Sequence, residues 1–293
     1  METNNDRIKG NLVLTECPRD AMQGWDKFIP SNIKAQYLNQ LLKVGFDILD
    51  FGSFVSPKAI PQLADTKEVL KMLDLSTSRS KLLAIIANTR GAEEAVVFDE
   101  ISYLGFPFSV SEIFQMRNTN KTIEQSLHQV EEIQTRCVQH NKELVVYLSM
   151  GFGNPYNEPY TAEIAIKWVY KLVQLGVKTI AMSDTIGVAQ PDNISYLFNS
   201  LIPEFTNIKF GAHFHSSPHS WHEKVSAAFA AGCRRFDSAI NGIGGCPMAE
   251  DELVGNIATE NIIYWSIAQN LPLGVNMEEF QKSIDMASRV FIK

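Results

Sequence analysis

The chain has 293 residues, 45% of them hydrophobic and 20% charged, a composition that supports a large buried core and excludes extended disorder, collagen-like repeats and a disulfide scaffold. Lys plus Arg total 26 against 33 for Asp plus Glu, a net charge of -7 with no long basic run. That balance excludes the clustered cations on which nucleic-acid affinity rests. The longest apolar runs, such as Leu82 to Ala87, fall far short of the ~20 residues that span a bilayer, so no membrane segment is expected. The N-terminal METNNDRIKG carries neither an apolar signal core nor an Arg-rich transit pattern, and a cytoplasmic location is the expectation.

Strand candidates follow one another in chain order as NLVLTEC (Asn11 to Cys17), FDILDFGSF (Phe46 to Phe54), KLLAIIAN (Lys81 to Asn88) and YLGFPFS (Tyr103 to Ser109). ELVVYLSM (Glu143 to Met150), KTIAMSDT (Lys178 to Thr185), IKFGAHFH (Ile208 to His215) and RRFDSAI (Arg234 to Ile240) continue the series to eight. Each is a short apolar or β-branched run bounded by polar residues and glycine. Amphipathic segments lie between them. Thr122 to His140 places Ile123, Leu127, Val130 and Ile133 on one face, and Ala162 to Leu175 does the same with Ile164, Ile166, Val169, Leu172 and Val173. Gly45, Gly176 and Gly232 each stand between a helical segment and the next strand, where a left-handed helix cap suits glycine. Ala95 to Ile101 reads equally as strand or helix. Met277 to Lys293 reads as an extra terminal helix.

Eight βα units without a linker or composition break predict one (β/α)₈ TIM-barrel domain over residues 1–293. An open doubly wound sheet is the alternative. In such a barrel the chemistry belongs to the loops after the strands, which directs attention to three clusters.

The first is ECPRDAMQG (Glu16 to Gly24), after strand one, where Arg19 and Asp20 stand side by side. Such a dipeptide is commonly an ion pair that merely holds a loop; its place at a strand end makes it a candidate. The second is His213-Phe214-His215. Strand side chains alternate faces, so the two imidazoles point together into the barrel mouth and Phe214 points away. Two histidines on one face can share a metal. His219 and His222 follow closely and read as solvated or as neighbours of that pair. The third is NGIGGCPMAEDELVGN (Asn241 to Asn256), a glycine-rich loop carrying Cys246, an accessible and therefore reactive thiol. Cys17, Cys137 and Cys233 fall in strand or helix segments and read as small core residues. The chain contains no GxGxxG after strand one, no GxxxxGK[ST] and no GxSxG, which disfavours dinucleotide, P-loop and serine-hydrolase chemistry.

These motifs, in this order, resemble the HMG-CoA lyase family. CPRDAMQ resembles its PRDGLQ, SFVSPKAIPQLADTKEVL (Ser53 to Leu70) its SFVSPKWVPQ segment, and DTIGVAQP (Asp184 to Pro191) its DTIGxxxP; HFH, GGCP and GNIATE (Gly255 to Glu260) have counterparts as well. The likeness runs from about Leu12 to beyond Glu260. It implies that Asp20, His213, His215 and Asn256 hold a divalent cation, that Arg19, with Gln23 and Asp50, contacts the substrate, and that Cys246 is the catalytic thiol, with Arg19, His213 and Asp20 also serving catalysis. Asp50 falls where the family usually has Glu. SSPH (Ser216 to His219) replaces the family's DTYG, ATEN replaces ATED, and RDAMQ replaces RDGLQ. A carboxylate, an amide oxygen and two imidazoles form a hard O/N set suited to Mg²⁺ or Mn²⁺.

The resemblance implies an acyl-CoA substrate and cleavage of 3-hydroxy-3-methylglutaryl-CoA, or a close 3-hydroxyacyl-CoA, to acetoacetate and acetyl-CoA. Two other readings stand beside it: a Claisen-condensing acyltransferase of the isopropylmalate and homocitrate synthase type, and a non-catalytic barrel that binds acyl-CoA. Barrels of this size often pair, so a homodimer is compatible with the sequence, although no interface signature fixes it.

Overall fold

A computed structural model describes residues 12–245, 254–271 and 273–292. In chain order its elements are β1 Val13–Glu16, α1 Pro18–Gln23, α2 Ser31–Val44, β2 Ile48–Ser53, α3 Thr66–Lys71, β3 Lys81–Ile85, α4 Thr89–Ala95 and β4 Ile101–Ser109. They continue with α5 Glu112–Thr119, α6 Ile123–Gln139, β5 Glu143–Ser149, α7 Ala162–Gln174, β6 Thr179–Asp184, α8 Pro191–Glu204 and β7 Lys209–Phe214. The last are α9 Trp221–Ala230, β8 Arg235–Ser238, α10 Thr259–Ala268 and α11 Met277–Val290. The strands run parallel in sequence order, and β8 pairs with β1 to close the barrel. This is the (β/α)₈ architecture, and it excludes the open sheet. The ambiguous Ala95–Ile101 stretch is neither one strand nor one helix: α4 ends at Ala95 and β4 begins at Ile101.

Alternation along the strands sorts the core into two layers. Leu49, Phe51, Leu82, Val146, Met182, Ala212 and Phe236 face the helices and belong to the large outer core. Ile48, Leu83, Ile85, Val145, Tyr147 and Ala181 point inward and fill the barrel. Gly105 on β4 makes that filling fit, since a Cβ there would lie 2.5 Å from Ile85 Cδ1 and 2.9 Å from Tyr147 Cε2. Gly45, Gly176 and Gly232 have φ of 78°, 85° and 99°, the left-handed conformation that lets each helix end and turn into the next strand. The terminal helix α11 begins where the Asn276 side chain accepts from the Glu278 and Glu279 amides. It packs on α2, with Phe280 edge-on to Phe46 at 6.2 Å.

Candidate active site

The chain leaves β1 through Cys17 and enters α1 at Pro18. Proline suits a first helical position because its fixed φ is already helical and no amide donor is lost there. The effect is to place Arg19 and Asp20 in the first helical turn, immediately beyond a strand end. Both are buried. Two strands round the barrel from β1, on the far side of β8, His213 lies in β7 and His215 just beyond it, with rings 5.3 Å apart and nearly perpendicular, while Phe214 turns out and meets Phe152 edge-on. Asp20, His213 and His215 each present one ligand atom, and all three atoms lie within 4.8 Å of one another.

Asn256 joins this group from the far end of the chain. Its bridge to His215 anchors the backbone, and its Nδ2 donates to Asp20 Oδ2 at 2.7 Å and to the Ile243 carbonyl at 3.0 Å. Nδ2 is thus the atom that faces Asp20, and a turn of the side-chain amide would present Oδ1 there instead. Gly244 makes this approach feasible: at φ 109° a Cβ would lie 2.5 Å from Asn256 Nδ2. His215 Nδ1 is buried without a hydrogen-bond partner, a cost that a bound ion would relieve. An orphaned imidazole nitrogen, a carboxylate and an amide oxygen fit a hard divalent cation.

Arg19 is held rigidly beside the cluster. Its Nε and Nη2 donate to Asp50 Oδ2 at 3.0 and 2.6 Å, and its Nη1 donates to Asp20 Oδ1 at 3.0 Å and to Gln23 Oε1 at 2.8 Å. Asp50, read from the sequence as a substrate contact, has its carboxylate engaged by Arg19. With its side chain 1% exposed, it lies behind the guanidinium and positions it, and it is absent from the cavity wall. Arg19, Asp20, Gln23, His213 and His215 all line a cavity of about 590 Å³ at the C-terminal mouth, which Val55 and Phe114 help to wall. Cys246 lies outside the described residues. His219 and His222 are exposed and apart from the cluster.

The electrostatics follow from burial against pairing. For Asp20 burial opposes ionisation, yet Arg19 and the two imidazoles hold its carboxyl below the ordinary carboxylate value. Burial, with Arg19 only partly compensating, pushes Asp50 up to about 6. Burial and the neighbouring His213 push His215 down to about 4, which keeps it neutral and able to coordinate. His213 moves the other way: burial lowers it, but the hydrogen bond and charge of Asp237 win.

Asp237 was not singled out from the sequence. It sits in β8 in register with His213, so their side chains share the inward face, and His213 Nδ1 lies 3.3 Å from its Oδ2. The available signal was a pair of charged residues, Arg235 and Asp237, two apart in a strand and so facing the same interior. A second omission is the pair Asp184 and Lys224. Asp184 Oδ1 accepts from the Val188 and Ala189 amides, organising the DTIGVAQP loop. Lys224 Nζ donates to Asp184 Oδ2 at 2.6 Å, to the Gly187 carbonyl at 2.9 Å and to the His215 carbonyl at 3.0 Å. A lysine on α9 thereby fixes the backbone that carries His215.

A closed parallel barrel that gathers a carboxylate, an amide and two imidazoles beside a clamped arginine, all at its C-terminal mouth, defines a barrel enzyme. The chain belongs to the HMGL-like family, whose model matches residues 13–286, and it is an enzyme of the lyase type. The Bacillus subtilis hydroxymethylglutaryl-CoA lyase YngG is 30% identical over 89% of this chain and 87% of that protein. The cytoplasmic 3-hydroxy-3-methylglutaryl-CoA lyase of Homo sapiens is 30% identical over 94% of this chain and 74% of its own length. Among solved structures, an HMG-CoA lyase from Acinetobacter baumannii in complex with coenzyme A and 3-methylmalate superposes with a TM-score of 0.89 at 28% identity, covering 99% of this chain and 93% of that one.

Proposed function

We propose that this protein is a divalent-metal-dependent carbon-carbon lyase that cleaves 3-hydroxy-3-methylglutaryl-CoA, or a close 3-hydroxyacyl-CoA, to acetoacetate and acetyl-CoA. The observation that carries the reading is the convergence of Asp20, His213 and His215 within 4.8 Å while Asn256 is bonded to Asp20. These four residues would hold Mg²⁺ or Mn²⁺. When bound, the cation supplies Lewis acidity that makes a tertiary hydroxyl easier to ionise. Support for the acyl-CoA substrate comes from the coenzyme A complex of the Acinetobacter baumannii relative.

The chain's own groups divide the remaining work. Cleavage removes the 3-hydroxyl proton, breaks the C2–C3 bond as the C3 ketone forms, and leaves the electron pair on the acetyl thioester as an enolate, which takes a proton at carbon. Asp237 engages Nδ1 of His213, which leaves Nε2 as the single nitrogen of that ring able either to coordinate or to take the hydroxyl proton. Arg19 is a permanent cation already oriented by Asp50, Asp20 and Gln23, so stabilising the developing enolate oxygen needs little reorganisation. Cys246 is the acid assigned to the enolate carbon. Val55, Ile60 and Phe114 line the same cavity and keep water from competing for the enolate.

The test is direct. Metal-freed protein is incubated with 3-hydroxy-3-methylglutaryl-CoA, with and without Mg²⁺ or Mn²⁺. Metal-dependent release of acetoacetate and acetyl-CoA is expected; no acetoacetate with either metal overturns the proposal. Cys246→Ala should abolish turnover and leave Mn²⁺ binding intact.

A further inference from the structure

His213 belongs to two ligand clusters. Besides Asp20 and His215, it shares a group with Cys17 and Asp237, whose ligand atoms and its own again lie within 4.8 Å of one another. Neither new member has a function in the cleavage reading as a ligand. Cys17 is buried, and its Sγ makes only a long contact of 3.8 Å to the Thr15 carbonyl. Asp237 Oδ1 is buried with no hydrogen bond, and Arg235 Nη2 is 3.8 Å away. A carboxylate, a thiol and an imidazole converge inside the barrel, where Asp237, Asp50 and Asp20 set a negative field at the sulfur that Arg19 opposes.

We propose that Cys17 Sγ, His213 Nδ1 and the Asp237 carboxylate form a second metal position, specific for thiophilic divalent ions such as Zn²⁺, Cd²⁺ or Co²⁺. Sulfur decides the selectivity: Mg²⁺ and Mn²⁺ favour oxygen, whereas thiolate selects softer ions. Bond lengths of about 2.0 to 2.3 Å around zinc place its ligand atoms roughly 3.3 to 3.8 Å apart, so the cluster reaches that geometry by small side-chain movements. On binding, the Cys17 thiol releases its proton to water as the sulfur-metal bond forms. Thiolate and carboxylate then balance the two positive charges, with His213 contributing a neutral lone pair.

The imidazole makes the two positions exclusive. A neutral imidazole carries one N–H and one lone pair. With Nδ1–H donated to Asp237, the lone pair on Nε2 serves the cluster of Asp20 and His215. A thiophilic ion takes the lone pair on Nδ1, moves the proton to Nε2 and removes His213 from that cluster. The thiophilic ion is therefore an inhibitor that acts by capturing a shared ligand.

The experiment needs no substrate, so its outcome is independent of the cleavage assay. Metal-free full-length protein is titrated with Co²⁺ and followed for a sulfur-to-cobalt charge-transfer band in the near ultraviolet. Wild type should develop the band, Cys246→Ala should keep it, and both Cys17→Ala and Cys17→Ser should lose it. In parallel, Mn²⁺ bound to the protein is followed by electron paramagnetic resonance while Zn²⁺ is added. Displacement should need at least tenfold more Zn²⁺ in Cys17→Ser than in wild type, and retained Mn²⁺ binding shows that the variant is folded. No band in wild type, a band that survives both Cys17 substitutions, or equal Zn²⁺ sensitivity of the two proteins overturns the proposal.

Discussion

Arg19 and Asp50 are locked together at the ends of neighbouring strands: two guanidinium nitrogens of Arg19, just beyond β1, reach one carboxylate oxygen of Asp50 in β2, at 2.6 and 3.0 Å, although the residues are 31 positions apart. The pair is buried, so the guanidinium keeps its orientation without substrate. Preorganised donors of this kind contribute because they need no rearrangement as charge develops.

Removing the donor and loosening it should have different signatures. Arg19→Met is expected to lower kcat by about 10²- to 10³-fold, the effect of deleting one oxyanion donor. Asp50→Asn retains the shape of the partner and should lower kcat by a smaller factor, about tenfold, with KM nearly unchanged. Steady-state kinetics of the two variants, side by side, checks the order.

The cation cluster predicts a graded loss of metal. Asp20→Ala removes the carboxylate and the acceptor for Asn256 Nδ2, and should abolish measurable Mn²⁺ binding. Asn256→Ala removes one oxygen ligand and should weaken binding by about 10- to 100-fold, the scale seen for lost supporting contacts at metal sites. Isothermal titration with Mn²⁺ measures both, and a chelator should eliminate turnover of wild type.

Lys224 should matter for stability before it matters for chemistry. It is 2% exposed, and replacing it with Met leaves the Asp184 carboxylate buried without its cation. Breaking a buried pair in this way typically costs about 3–5 kcal/mol. Denaturant unfolding of Lys224→Met should show that loss, and Asp184→Asn in the same chain should recover part of it.

Glu16 predicts a pH dependence of unusual sign for a carboxylate. It faces the helical layer behind β1, fully buried, where it accepts from Thr259 and from the Ile240 amide; burial pushes it up to about 8 from 4.5. The folded state thus holds a proton that the unfolded state has lost between those values. Its stabilising contribution is complete below pH 4.5 and disappears as pH rises through about 8. Glu16→Gln, which is neutral throughout, should flatten the fall in unfolding free energy by up to about 1.4 kcal/mol per pH unit across this window. Equal slopes in wild type and variant would refute the assignment.

By itself the sequence determined the barrel and the local neighbourhood of the site. Alternation of apolar residues, helix periodicity and the three cap glycines are local properties of the chain, and each is set by backbone geometry that any fold would share. For the same reason the shared face of His213 and His215 was legible: a period of two requires it. Tertiary structure alone decided that Asp50 stands behind Arg19, that Asp237 is level with His213, and that Lys224 reaches the backbone of His215. Each of these depends on strand register and on which helix covers which strand. Those relations couple residues far apart in the chain, so no local pattern records them, and only closure of the barrel fixes the distances on which the chemistry depends.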